Sequence, residues 1–334
     1  MKSKALFTML VFLLGSITAM TAQSFVVFDI PNSGSDIPNG VGMVVTGINA
    51  HGDGAGYFQD ASQGYKQRGF VRDRNGNIKV IDAPNASATS IRSINAGGAV
   101  AGYFAEEGKV RGFVQDVQGI ITVFDASSLS VTDVESISDS GEVAGMTFGS
   151  SSPIHGFVRD ENGAITVFDV PNSAATYVTG ANARGDVIGY FFDPTRGFTP
   201  VGFVRDNRGQ FALFDEELAF AINARGEITG SFSGSSQSGG FIAEVNGTIV
   251  FFDGFDASGR NINARGDVVG YLFDQSLNKV RGFERHMNGD VTIFDAPSAS
   301  DTRAVSINAR GDIAGYFADS SQGNKTRGFV RVTR

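Results

Sequence analysis

One twelve-residue stretch recurs seven times and limits the possible folds more than any other feature. Its clearest copy is Ser306-Ile307-Asn308-Ala309-Arg310-Gly311-Asp312-Ile313-Ala314-Gly315-Tyr316-Phe317, and others begin near Gly47, Ser93, Ser136, Gly180, Ala221 and Asn261. Every copy has a first glycine (Gly52, Gly98, Gly141, Gly185, Gly226, Gly266, Gly311) and a second four residues on (Gly56, Gly102, Gly145, Gly189, Gly230, Gly270, Gly315). Successive first glycines lie 46, 43, 44, 41, 40 and 45 residues apart. A fixed period of this size marks a repeat architecture.

Two more series keep the same count. An apolar residue followed by aspartate precedes each copy, at Phe28-Asp29, Ile81-Asp82, Phe124-Asp125, Phe168-Asp169, Phe214-Asp215, Phe252-Asp253 and Phe294-Asp295. A Gly-Phe pair follows each, at Gly69, Gly112, Gly156, Gly202, Gly240, Gly282 and Gly328 with the next residue. Each unit reads as four short strands, A to D. In the fourth these are Tyr177 to Asn182, Asp186 to Phe191, Val201 to Arg205 and Gln210 to Asp215, where apolar residues alternate and β-branched or aromatic residues are enriched. Three-residue C–D loops end in Gly76, Gly119, Gly163, Gly209, Gly247 and Gly289, as a type I turn closed by a left-handed residue requires.

Four antiparallel strands repeated seven times predict an all-β, seven-bladed β-propeller. A β-helix is the alternative; helical repeats are disfavoured by 44 glycines and the β-branched content. The blades fall at 42–82, 87–125, 131–169, 176–215, 218–253, 257–295 and 302–334. The last unit lacks its D strand, and a lone D-type strand, 25–29, opens the repeat region. Pairing the two would close the ring and remove an exposed sheet edge.

Residues 1–22 read as a signal peptide, with Lys2 and Lys4 ahead of the apolar run from Ala5 to Met20. The run is short for a bilayer span. A single exported domain, 23–334, is therefore expected, secreted to the extracellular space or periplasm, without membrane insertion and monomeric. There are no cysteines, hence no disulfides, and the core must stabilise the fold. Loss of Lys2 and Lys4 moves the net charge from −8 to −10, which disfavours nucleic acid as a partner.

The pattern of Ile-Asn-Ala, a short turn, an apolar-Gly pair and then a His/Arg-Gly-Phe strand resembles the bacterial extracellular HAF-type repeat proteins. His155-Gly156-Phe157 is the closest match to the motif that names them. The resemblance covers roughly 25–334. Most copies have Arg where the family has His, and Val-Arg or Val-Gln replaces the family's usual tryptophan step. The resemblance implies an exported repeat protein and implies no chemistry.

In a propeller the A–B and C–D turns share one face, and the B–C and D–A loops share the other. Here the first set is short and uniform. The second is longer and varied, as at 30–45, 59–67 and 193–200. Variable loops on a rigid scaffold are where binding is expected. With three-residue C–D loops, residue n at the start of C faces n+14 at the end of D. This sets Arg68 opposite Asp82, Arg111 opposite Asp125, His155 opposite Asp169 and Arg281 opposite Asp295, and ring closure sets Arg327 opposite Asp29. The plain reading is a repeated cross-strand ion pair. The functional reading is a partial ring of polar groups able to hold a glycan or an anionic group.

Arg-Gly-Asp occurs at Arg184, Arg265 and Arg310, in the A–B turn, and turn chemistry accounts for it. Asp60, Asp193, Asp274 and Asp319 could bind calcium but lack the dense oxygen spacing of a dedicated loop, so no cofactor is expected. His51, His155 and His286 occupy different places in their units and form no metal-ligand pattern. The tyrosines and phenylalanines of the Gly-Tyr-Phe and Gly-Phe strands are expected in the core between blades. The chain thus reads as a non-enzymatic propeller binding an extracellular protein or glycan. The alternatives are a propeller hydrolase or lyase, with carboxylates near the channel mouth and His155 as a further candidate, and a structural or adhesive surface protein.

Overall fold

A computed structural model describes residues 24–34, 42–196, 199–215, 217–233, 238–244, 248–252 and 256–333. Residues 1–22, Gly247 and Asp253 lie outside them. No described helix is long and apolar enough to cross a membrane.

The protein is all-β and built of four-stranded antiparallel sheets, each but the last running A-B-C-D in chain order. In the fourth repeat the strands are Thr176–Ala181, Val187–Asp193, Thr199–Arg205 and Phe211–Asp215. The sheets of the second and third repeats are linked by a single parallel bridge, Val131 to Val110. The last sheet takes its fourth strand from the beginning of the repeat region. Ser24–Phe28 pairs antiparallel with Lys325–Val332, placing Phe28 opposite Gly328. The B–C connections are shorter than the sequence implied. The strand Gly54–Asp60 runs on to a one-turn 3-10 helix at Ala61–Gln63, and the next strand starts at Lys66.

The turns follow from their glycines. In the A–B turns Gly52, Gly98, Gly141, Gly185, Gly226, Gly266 and Gly311 all have φ between 81° and 96°. This is the left-handed region, which glycine enters at least cost. Those turns also explain the asparagine of Ile-Asn-Ala. The Asn308 side-chain oxygen accepts from the backbone N–H groups of Arg310 and Asp312, at 2.9 and 3.0 Å. Its Nδ2 donates 3.0 Å to the carbonyl of Asn49 in the first repeat. Asn182, Asn223 and Asn263 donate in the same way to the carbonyls of Asn223, Asn263 and Asn308. All four asparagines are buried, where an unmet amide would be costly. They close the turn and pin each repeat to the next.

The core lies between neighbouring sheets. The phenylalanines of the Gly-Phe pairs, Phe70, Phe113, Phe157, Phe203, Phe241, Phe283 and Phe329, are all at most 1% exposed. An arginine two residues further on stacks over a D-strand phenylalanine of the preceding sheet, as with Arg205 over Phe168 (4.8 Å) and Arg331 over Phe294 (4.5 Å). This burial and stacking account for the recurring Gly-Phe-Val-Arg strand.

Every A strand carries a β-bulge at the same place. The register shifts at Thr46, Arg92, Glu135, Thr179, Phe220, Arg260 and Val305, each flanked by paired residues. The second glycine of the motif belongs to this device. A Cβ at Gly102 would stand 1.9 Å from the Ser90 carbonyl oxygen, and at Gly230 1.9 Å from that of Leu218. The bulge presses the A strand onto its neighbour so closely that only glycine fits opposite.

Candidate functional site

A bulge leaves its extra residue out of the pairing and redirects its side chain. Here all seven bulge residues line one cavity of about 610 Å³. They share it with Tyr57, Tyr271 and Tyr316, and with Gln59 and Gln67 from the B–C side of the first repeat. The cavity therefore opens towards the loops of the longer, variable set. A smaller cavity of about 230 Å³ is lined by the A–B turns of the repeats, where Asn182, Asn223, Asn263 and Asn308 are committed to the pins described above and Asn49 donates to Asp53.

The seven bulge positions do different things. Thr46 and Thr179 donate to carbonyls of the following repeat, Ile91 (3.1 Å) and Ala219 (2.8 Å). Arg92 reaches the following repeat through Glu135 (2.6 Å). Burial alone would lower the Arg92 pKa, but Glu135 beside it holds the guanidinium charged. Arg260 stacks on Phe220 (4.6 Å) and lies 5.6 Å from the Tyr271 ring centre.

Two residues before Glu135 on the same strand stands Asp133. Burial, and then the Glu135 charge, push its carboxyl up to about 7, with Arg92 opposing. Its Oδ1 is buried and has no hydrogen-bond partner among the described residues. A carboxyl that titrates near neutrality, beside a second carboxylate and a guanidinium, can hold or release a proton at working pH.

The tyrosines correct one expectation. Phe58, Phe104 and Phe317 are buried in the core as the motif implied, but the tyrosines before them are only half-buried. Tyr57, Tyr103, Tyr190, Tyr271 and Tyr316 stand opposite Val44, Ser90, Tyr177, Ser258 and Arg303, and of these Tyr57, Tyr271 and Tyr316 line the cavity. Tyr177 and Tyr190 stack at 4.9 Å, and burial raises the phenol pKa of Tyr103, Tyr190 and Tyr316. The alternation of the strand puts successive ring residues on opposite faces, so Phe317 enters one inter-sheet core while Tyr316 packs against the edge of the next.

The five pairs read from the C–D register are all formed. Arg68 Nε lies 3.0 Å from Asp82, Arg111 Nε 2.9 Å from Asp125 and Arg281 Nε 3.1 Å from Asp295. His155 Nδ1 is 2.9 Å from Asp169, and Arg327 Nη2 is 2.9 Å from Asp29. Each arginine also holds a second carboxylate at the end of strand B: Asp60, Glu106, Asp274 and Asp319 respectively for Arg68, Arg111, Arg281 and Arg327. Lys66, Lys279 and Lys325 add to Asp82, Asp295 and Asp29. Asp60, Asp274 and Asp319 further accept from the N–H and hydroxyl of Ser62, Ser276 and Ser321. Asp193 does the same with Thr195. These clamps close the B–C connections and leave few oxygens open to a ligand. His155 does not line the central cavity.

The Arg-Gly-Asp tripeptides are likewise closed on themselves. Arg184, Arg265 and Arg310 bind Asp186, Asp267 and Asp312 at 2.6, 2.9 and 2.8 Å. Among the described residues no group of three or more His, Cys, Asp or Glu is placed to hold a metal ion.

A fold of antiparallel four-stranded sheets around a central cavity is of the β-propeller type. The protein is similar in structure to virginiamycin B lyase from Staphylococcus aureus (TM-score 0.55, 14% identity, 93% of this chain and 100% of that one). It is also similar to the β-propeller domain of the Trilobed protease from Pyrococcus furiosus (0.64, 10%, 87% and 96%). A third is acylaminoacyl peptidase from Pyrococcus horikoshii (0.62, 11%, 87%, but only 51% of that chain). At such identities the likeness concerns the fold alone. No family model matches the sequence. No curated protein matches it either. The Trilobed propeller is described as having an open velcro topology, whereas here the first strand completes the last sheet.

Proposed function

We propose that this protein is an exported seven-bladed β-propeller, closed by its first strand, that binds a glycan in the central cavity without altering it. One observation carries the reading: seven bulged strands bring seven side chains of five kinds to a single 610 Å³ cavity, with Tyr57, Tyr271 and Tyr316 grouped on one side of it. That volume lies in the range of small-ligand sites. Tyrosine offers both a flat apolar face for a sugar ring and a hydroxyl for its polar edge. A concave site of this size suits a saccharide better than the flat contact expected of a protein partner.

The test is a melting-temperature screen of residues 23–334 against a glycan panel, with calcium and with chelator as separate arms. A ligand at a hundredfold excess over its dissociation constant stabilises the fold by about 2.7 kcal/mol. The reading expects a shift with some saccharides that is lost in Tyr57→Ala and Tyr316→Ala and kept in Arg111→Gln. A shift lost instead on replacing Arg68 and Arg111 would move the site to the clamps. Absence of any saccharide shift would sink the reading and turn the search to protein partners.

A second reading, a hydrolase or lyase, is favoured by Asp133. Its carboxyl, pushed up to about 7 by burial and with an unpartnered Oδ1, stands beside Glu135 and Arg92 and has the character of a general acid or base. If this holds, turnover of a bound saccharide would follow a pH profile with an inflection near 7. Asp133→Asn would then abolish turnover while leaving binding in place.

A further inference from the structure

Arg260 and Arg303 bring two guanidiniums to one aromatic ring. Both are half-buried, and among the described residues neither makes a hydrogen bond or an ion pair through its guanidinium. Arg260 lines the cavity, and the two guanidinium carbons lie 5.6 and 5.7 Å from the centre of one ring, Tyr271. Other buried or half-buried arginines either hold a carboxylate, as Arg68, Arg92, Arg281 and Arg331 do, or donate to a backbone carbonyl beside a ring, as Arg72, Arg159 and Arg285 do, and Arg205 stacks alone on Phe168. Only here do two guanidiniums crowd one ring among the described residues. Cation–π contact offsets part of the cost of an unpaired guanidinium, but two like charges around one ring repel. Placing two there without a counter-ion leaves a standing demand for negative charge.

The rest of the cavity cannot meet that demand. Glu135, the one carboxylate among the described residues that line it, is engaged by Arg92 in the third repeat, away from the sixth and seventh repeats that carry Arg260 and Arg303, and Asp133 does not line the cavity. The surroundings also say what kind of anion would fit. An inorganic ion would fill a small part of 610 Å³, and the neighbouring groups are the rings of Tyr57, Phe220, Tyr271 and Tyr316. Rings suit the apolar faces of sugars, and guanidiniums suit a planar carboxylate or a sulfate ester.

We infer that the cavity selects acidic saccharides, the Arg260 and Arg303 guanidiniums gripping the anionic group beside Tyr271 while sugar rings lie on the tyrosines. This rests on the glycan-binding reading and narrows its ligand class. The sugar hydroxyls then face the side of the cavity formed by the second and third repeats.

Titration calorimetry on residues 23–334 tests the inference, with oligogalacturonate, its methyl ester, a sulfated oligosaccharide and a neutral oligosaccharide as probes. The expected result is binding of oligogalacturonate at least tenfold tighter than its ester, with affinity falling as salt is raised. Binding of the sulfated probe in place of the uronate would assign the anionic group as a sulfate and keep the clamp. Arg260→Gln and Arg303→Gln, singly and together, should each remove most of the preference for acid over ester. Melting curves would confirm that each variant folds, so that the single variants remain informative if the double variant does not. Equal affinity for acid and ester would overturn the inference, as would full selectivity in both single variants. Neutral saccharides binding as tightly as acidic ones would sink this inference alone, whereas no binding of any probe would sink the glycan reading with it.

Discussion

The outer ends of the strands and the inner bulge column contrast within the same repeat. At the outer ends a basic residue faces an aspartate in five repeats, and in four of them an arginine is held between two carboxylates. In the bulge column the residues are Thr, Arg, Glu, Thr, Phe, Arg and Val, no two neighbours alike. The outer groups satisfy one another and hold the connections between strands. The inner groups are in part unsatisfied and face a shared space. Repetition across the copies therefore marks architecture, and variation inside an otherwise fixed frame marks the surface with chemistry to spare.

The sharpest way to break this contrast is to remove the bulge itself. Gly102→Val would push a side chain into the Ser90 carbonyl, and an overpacked site of this kind costs about 3 kcal/mol or more. Urea denaturation should show this loss, and a stable variant would mean that the bulge is not required. Asn223→Ala comes next. It deprives the N–H groups of Arg225 and Glu227 and the carbonyl of Asn263 of their partner, for a loss of about 1–3 kcal/mol in the same assay.

Asp133 sharpens the contrast through pH. Its carboxyl titrates near 7 in the fold and near its ordinary 3.8 when unfolded. Between these values the folded state keeps a proton that the unfolded state has released, so this group's contribution to stability falls as pH rises from 3.8 to 7 and levels off above. Asp133→Asn stays neutral throughout. Its urea midpoint should match the parent near pH 4 and exceed it at pH 8; equal midpoints at both would show that Asp133 is not held protonated. The smallest effect is expected at the outer clamps. Arg111→Gln breaks contacts that are partly open to water, and should cost less than about 1 kcal/mol and leave saccharide binding unchanged.

Much of the fold was legible because its determinants are local. The turn glycines at 52, 98 and 311 must adopt left-handed backbone, and alternation along each strand fixes which residues can face the next sheet. The cross-strand pairs, Arg68 with Asp82 among them, followed from loop length alone. The central cavity was harder to see. The second glycine of the motif was visible seven times, yet its reason, a carbonyl pressed against it by a bulge, exists only once the strands are paired. The readable sign is the changing residue just before the repeated motif, at Arg92, Glu135 and Arg260.

The sequence by itself determined the repeat, its strands and turns, and the matching of the first strand to the last sheet, because spacing, alternation and backbone preference act over a few residues. Only the tertiary structure decided that Asn308 meets Asn49, that Tyr57, Tyr271 and Tyr316 reach the central cavity, and that Arg260 and Arg303 share one ring. Those outcomes depend on how separate repeats are set around a common centre. Distance between side chains far apart in the chain is a property of that arrangement and of no single segment.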